Sequence, residues 1–327
     1  MEFPILMTPT KLIPALLLLA LVACEKEITV DLPTTEPKLV VEGTIEPGRP
    51  PIVILTRTQS FFAPTDLASI ASIFVNGALI TMSDGFTTIT LDAICSSDLT
   101  DEEIILAAAI TGLDPDLLTL ANICVYTSLN PADTGVIGRT YSLQVIADGK
   151  TLTSITTLPA PVALDSAWFK LALQDPGDDT LGFIWGRLSD PAGSTNQYRW
   201  LAQRINRGYG GKPKDASYIA PLFSCFDDRY ANGLSFEFAY NRGTATYSTA
   251  EDDENEEAGF FKRGDTVVVK FVSFGRPEYD FYNSLDDNTA SQGDLFSNPE
   301  NVVSNINGGL GIWAGWSPSY YTVVCGQ

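Results

Sequence analysis

The sequence predicts a mainly β protein: two β-sandwich-like domains, the first with a short disulfide-clamped helical insertion. Short β-branched apolar runs such as Leu39-Val40-Val41 and Ile52-Val53-Ile54-Leu55 recur, bounded by proline or glycine, as strands are. Asn76-Gly77, Asp84-Gly85 and Asp148-Gly149 fall between such runs, and these residue pairs accept the positive φ of tight hairpins. One segment, between Cys95 and Cys124, abandons this pattern for helix signals.

From the N-terminus, Lys11 precedes an apolar run from Leu12 to Val22, far shorter than the roughly 20 residues a membrane-spanning helix needs. A positive start, a short apolar stretch and a small residue, Ala23, mark residues 1–23 as a secretory signal peptide. Leu21-Val22-Ala23-Cys24 resembles the lipobox of bacterial lipoproteins, so Cys24 is expected to be acylated and to become the new N-terminus. Residues 24–37 are polar, carry Pro33 and Pro37, and read as a tether. The chain beyond the signal peptide is long enough for about two domains at ~150 residues each.

The first domain is expected over residues 38–160. "IFVNGALITM" reads as a hairpin about Asn76-Gly77, and Tyr141, Leu143 and Val145 alternate with Ser142 and Gln144 as in a half-buried strand. The insertion lies near 97–123. Thr100 followed by Glu103 is a capping box, Asp101, Glu102 and Glu103 suit the helix dipole, and Gly112 ends the helix. Asp114 and Pro115 then start a second helix. Ile104, Ile105, Ala107, Ala108, Ala109 and Ile110 leave the first helix apolar nearly all round, so either the sandwich or a partner must cover it. Ile104 and Ile105 are therefore candidate partner contacts.

Pro159 and Pro161 in "LPAPVALDSAWF" mark a seam, and the second β-rich domain is expected over 161–327. Leu234, Phe236, Phe238 and Tyr240 fall on one strand face, "DTVVVKFVSF" is the longest strand run, and "RPEYDFYNSL" reads as a helix. The tail "NGGLGIWAGW" is glycine-rich and aromatic, and "YYTVV" is a last strand.

Composition narrows the chemistry. A net charge of −20 argues against nucleic acid, whose affinity comes from lysine and arginine neutralising phosphates, and against adhesion to an anionic membrane surface. The chain has no histidine, which excludes Ser-His-Asp and Cys-His catalysis. Beyond Cys24, the four cysteines Cys95, Cys124, Cys225 and Cys325 form an even set in an exported protein. Three pairings exist; proximity and the domain reading favour Cys95–Cys124 and Cys225–Cys325. Zinc is the rival reading, but no pair has CxxC spacing.

Glu251 to Glu257, "EDDENEE", offers the carboxylates of a calcium loop but lacks EF-hand spacing, and a run of like charge is usually a solvated loop. Asp175, Asp178 and Asp179 form a second acidic loop. "GGLG", Gly308 to Gly311, lacks the lysine of a phosphate cradle and reads as close backbone packing. Trp313, Trp316 and Tyr320 are candidate ligand or partner contacts, because Trp and Tyr join large apolar faces to one polar handle; the competing reading places Trp313 in the core.

"EPKLVVEGTIEPGRPPIVILTRTQSFF", "FDDRYANGLSFEF" and "SNINGGLGIWAGWSPSYYTVV" resemble the Bacteroidota lipoproteins grouped as domain of unknown function 4249, in the expected order along the chain. The cysteines of "AICSSD" and "NICVYT" fit that resemblance. It implies an outer-membrane lipoprotein, often encoded beside a TonB-dependent receptor, with no established activity or site residues. The "EKE" after Cys24 is similar to signals that send such lipoproteins to the cell surface. The expectation is a non-catalytic accessory to such a receptor in nutrient capture, without cofactor or metal. The alternatives are a free-standing glycan-binding protein or adhesin, and a carboxylate-based hydrolase.

Overall fold

Two layered β-structures are joined by one strand that belongs to the wrong end of the chain. The computed structural model describes residues 36–60, 66–172, 180–208, 211, 213–243, 259–291 and 301–326.

In the first half, β1 (Leu39–Ile45) and β2 (Ile52–Arg57) pair antiparallel, with Val41 opposite Leu55. A short helix α1 (Leu67–Ile73) comes next, its first turn capped by the Asp66 carboxylate, which accepts from Ser69 N at 2.8 Å. It leads to β3 (Leu79–Ser83), β4 (Thr88–Thr90) and β5 (Asp92–Cys95), then α2 (Asp101–Thr111) and α3 (Pro115–Leu120). Strands β6 (Cys124–Thr127), β7 (Thr140–Ala147) and β8 (Lys150–Thr157) complete this half. One sheet runs β16-β1-β2-β6-β5, where β16 is Leu310–Gly315, and the other runs β4-β3-β7-β8. Val41, Val53 and Leu55 from the first sheet meet Ile80, Tyr141, Leu143 and Leu152 from the second in one core.

The hairpins at Asp84-Gly85 and Asp148-Gly149 form as expected; Asp148 and Gly149 sit at φ 49° and 70°, both in the left-handed region of a type I′ turn. Asn76-Gly77 does not make a hairpin. The residues before it continue from α1, with only Phe74 bridging Thr56, so Asn76 has no strand to turn from. Its side chain instead accepts from Cys124 N at 3.3 Å and donates to Asn122 O at 3.0 Å, pinning the base of the insertion. Cys95 and Cys124 face each other across β5 and β6 and are disulfide-bonded, bridging the helical region. Closing a loop of this separation contributes about 3–4 kcal/mol against the unfolded chain.

The second half contains β9 (Ser166–Leu171), β10 (Leu181–Ser189), β11 (Gln197–Arg204), β12 (Cys225–Asp227), β13 (Ser235–Tyr240), β14 (Phe261–Lys262) and β15 (Thr266–Phe274). Helix α4 (Arg276–Ala290) and β17 (Ser317–Val324) come after them. Strand β10 is flanked by β9, β13 and β14; the facing sheet runs β12-β11-β15-β17. Phe236, Phe238 and Tyr240 point into the core between these sheets with Trp200, Phe271 and Ile184, as their alternation predicts, whereas Leu234, expected on the same face, precedes β13 and is exposed.

A Cys225–Cys325 disulfide does not form: both thiols are free and buried. Cys225 opens β12 and Cys325 lies just past β17, at opposite edges of a sheet with β11 and β15 between them. At about 4.8 Å per strand that is about 14 Å, beyond the roughly 7 Å a disulfide tolerates between Cα atoms. Burial pushes each thiol up to about 12, so both behave as small apolar side chains.

Residues Pro37–Gln327 form one compact unit. The cause lies in β16, which leaves the second half and pairs in parallel with β1, Gly43 opposite Trp313, before the chain turns at Trp316 into β17 of the other sandwich. Ile306 and Trp313 thereby enter the first core, and Ser317 Oγ donates to Pro159 O at 2.7 Å at the seam. Among the described residues no helix is long and apolar enough to cross a membrane.

Candidate functional site

The insertion is built as the capping residues dictate. Thr100 Oγ1 accepts from Glu103 N, the Glu103 carboxylate accepts from Thr100 N at 2.8 Å, and Gly112 closes α2 in the left-handed region. Asp114 caps α3 in front of Pro115. Ser96 Oγ donates to Ala121 O at 2.8 Å and accepts from Ile123 N at 3.0 Å, fastening both helices above the disulfide. Ile104, Ala108, Leu113 and Leu118 then pack on Ile54, covering the outer face of β2.

That covers only half of α2. Ile105, Leu106 and Ile110 are 57%, 60% and 50% exposed, and Leu120 of α3 is 62% exposed. A helix apolar on every side cannot bury all of itself against one sheet, so the remaining side faces solvent. Of the two expected contact residues here, Ile104 is core and Ile105 is exposed.

The expected contact cluster of the tail divides in the same way. Trp313 is fully buried, with its indole N–H donating to Tyr141 O at 3.1 Å, so it is a core residue of the first sandwich. Trp316 and Tyr320 lie elsewhere, in a seam between the two sandwiches. There, α4 packs against β16 on one side and against β11 and β12 on the other. Residues 1–35 with Cys24, the acidic loop 251–257 and the loop holding Asp175, Asp178 and Asp179 lie outside the described residues.

The seam gathers charged groups that the sequence reading did not single out. Lys270, buried in the middle of β15, pairs with Glu46, which also accepts from Tyr320 Oη at 3.4 Å. The Lys270 ammonium lies 4.8 Å from the Trp316 ring and 5.6 Å from that of Tyr218. Burial lowers the Lys270 pKa, with Glu46 opposing the shift. On the neighbouring β11, the Arg199 guanidinium stacks 3.7 Å from the centre of the Tyr282 ring of α4. Glu42 of β1 and Asp286 of α4 face this cation electrostatically; desolvation raises both carboxyls and Arg199 lowers them. Glu42 itself is exposed at the surface of β1. A lysine inside the apolar run "TVVVKFVSF" was the one sequence signal for this seam.

At the N-terminal end of α4, Glu278 is buried; Thr156 Oγ1 donates to it, as does Gly315 N at 3.4 Å. It ties α4 to β8 and to the end of β16. Burial raises its pKa, so between the ordinary glutamate value and that raised value the folded state holds a proton that the unfolded chain has released. Its contribution to stability is therefore full on the acid side and declines as pH rises through this window. Glu278→Gln, which keeps the shape without the charge, should flatten this decline in denaturation curves measured from pH 4.5 upward.

The model of the family described as Domain of unknown function (DUF4249) matches residues 25–322. The chain belongs to the DUF4249 family. The match runs from just after the expected acylation site through the insertion and the seam into β17, so both surfaces lie inside the DUF4249 region. No curated protein matches this DUF4249 chain significantly. Among the described residues, no three Cys, Asp or Glu side chains come together as a metal site would require.

Proposed function

We propose that this DUF4249 protein is a non-catalytic accessory lipoprotein, held at the outer membrane by acyl chains on Cys24, that docks on a TonB-dependent receptor and helps it capture a nutrient. The observation that carries this reading is the bare apolar side of α2 and α3, with Ile105, Leu106, Ile110 and Leu120 exposed on a cap made rigid by the Cys95–Cys124 disulfide. Clustered exposed apolar side chains on a fixed element mark a protein contact. A lipid tether confines the protein to the plane of its partner and raises the effective concentration of that contact without adding an interaction. The strongly negative chain would not adhere to an anionic bilayer by charge, which leaves the lipid to hold it. The glycan-binding alternative drew on an aromatic platform at Trp313 and Trp316, and it loses Trp313 to the core.

Pull-down of the full-length lipoprotein from solubilised outer membranes tests the reading. The wild type should bring down a β-barrel transporter. The double variant Ile105→Glu, Leu106→Glu should recover about tenfold less of it while keeping its melting temperature, since both residues are more than half exposed. Undiminished recovery by the variant refutes the contact.

A further inference from the structure

The insertion is acidic throughout. From Thr58 to Gly138 the chain carries no Lys or Arg, and residues 97–123 hold Asp98, Asp101, Glu102, Glu103, Asp114 and Asp116. The arginines that flank this stretch are engaged elsewhere, Arg57 with Asp148 and Arg139 with Asp84. Among the described residues, Asp98, Asp101, Glu102 and Asp116 are exposed and form no ion pair. Helix stability explains only part of this. Carboxylates in the first turn suit the helix dipole, but the same dipole favours Lys or Arg in the last turn, and neither α2 nor α3 has one there. Position ties the charge to the apolar surface. Residues four apart share a helix face, so Asp101, Ile105 and Ala109 form one exposed row on α2, and Glu102, Leu106 and Ile110 form the next. Each row opens on an unpaired carboxylate and runs on as apolar side chains.

We propose that the surface docking on this insertion belongs to a protein and has an apolar centre edged by lysine or arginine, with the basic groups seated over the first turn of α2. Charge complementarity selects this partner. Covering Ile105, Leu106 and Ile110 brings the edge of the partner onto Asp101 and Glu102, where a neutral or acidic edge would desolvate two carboxylates without supplying a cation. The same charges disfavour an anionic bilayer as the occupant. The rim charges steer encounter and orientation, while the apolar rows set how long the contact lasts. This inference rests on the docking reading above and deepens it by stating the chemistry of the partner.

Photo-crosslinking in isolated outer membranes at two salt concentrations tests it, using the full-length lipoprotein with a photoreactive residue replacing Ile110. Raising NaCl from about 0.01 M to about 1 M shortens the screening length from about 30 Å to about 3 Å. In low salt the chain with native Asp101 and Glu102 should give a protein adduct, and Asp101→Lys, Glu102→Lys should cut its yield about tenfold. In high salt the two yields should converge, because screening removes the electrostatic part alone, whereas damage to the fold of α2 would persist at both concentrations. An adduct with a protein other than a β-barrel transporter, with this salt dependence, sinks the receptor reading and leaves the basic-edged partner standing. A transporter adduct that ignores both salt and charge reversal does the opposite. A loss of equal size at both concentrations, an adduct with lipid, or no adduct overturns the proposal.

Discussion

Gly311→Ala should destabilise the protein by more than about 4 kcal/mol, a large share of the roughly 5–15 kcal/mol that holds a domain folded. Gly311 sits in β16 at φ 103°, where residues with a Cβ are strained, and a Cβ there would lie 1.9 Å from Val41 O and 2.8 Å from Val41 C. Both atoms are backbone of β1, so no side-chain rotation relieves the overlap; the parallel pairing itself must open. Opening it withdraws Trp313 and Ile306 from the first core and loosens the turn that carries Trp316 into the seam. Gly48→Ala is the control. It also has a positive φ, 71°, but nothing lies near its would-be Cβ, so it should cost only about 1 kcal/mol. Denaturant unfolding followed by circular dichroism separates the two variants.

Trp313→Ala should cost about 3–5 kcal/mol, the range for deleting a fully buried large side chain. The ring lies over Gly43 of β1, where even a methyl group would come within 2.8 Å of Cε3, so the surroundings are already closed around it and will not collapse into the space. Removing it also takes from Tyr141 O the indole N–H that donates to it at 3.1 Å. Trp313→Phe should cost clearly less, since it refills most of the volume and loses the hydrogen bond alone. A shift in the denaturation midpoint without a change in slope is the expected signature for both.

Local chemistry made much of this fold legible. The capping box at Thr100 and Glu103, the Asp114-Pro115 start and the Asp148-Gly149 turn each depend on a few adjacent residues, and each forms as those residues predict. The alternation of Phe236, Phe238 and Tyr240 placed β13 on its core. The features that differed depend on distance along the chain. Asn76-Gly77 carries the right turn residues, but whether a strand precedes it is settled by a helix that Asp66 caps ten residues earlier. Pairing of Cys225 with Cys325 fitted the parity of the thiols, yet two intervening strands separate them. The seam was illegible for the same reason: Glu42, Arg199, Lys270, Tyr282 and Trp316 come from five segments, and only the parallel docking of β16 on β1 brings them together. Trp313 and Trp316, three apart in one aromatic tail, therefore end in different places, one sealed in a core and one beside the guanidinium of Arg199.

Docking through the insertion is the claim on which the proposed role depends, and in-cell photo-crosslinking reaches it most directly. A photoreactive residue replacing Leu106, on the bare side of α2, should join the lipoprotein covalently to one β-barrel transporter in the outer membrane. The same residue replacing Phe86, which is 90% exposed at the turn between β3 and β4, should give no such adduct. No adduct from position 106, or adducts of equal yield from both positions, would contradict a receptor contact at this surface.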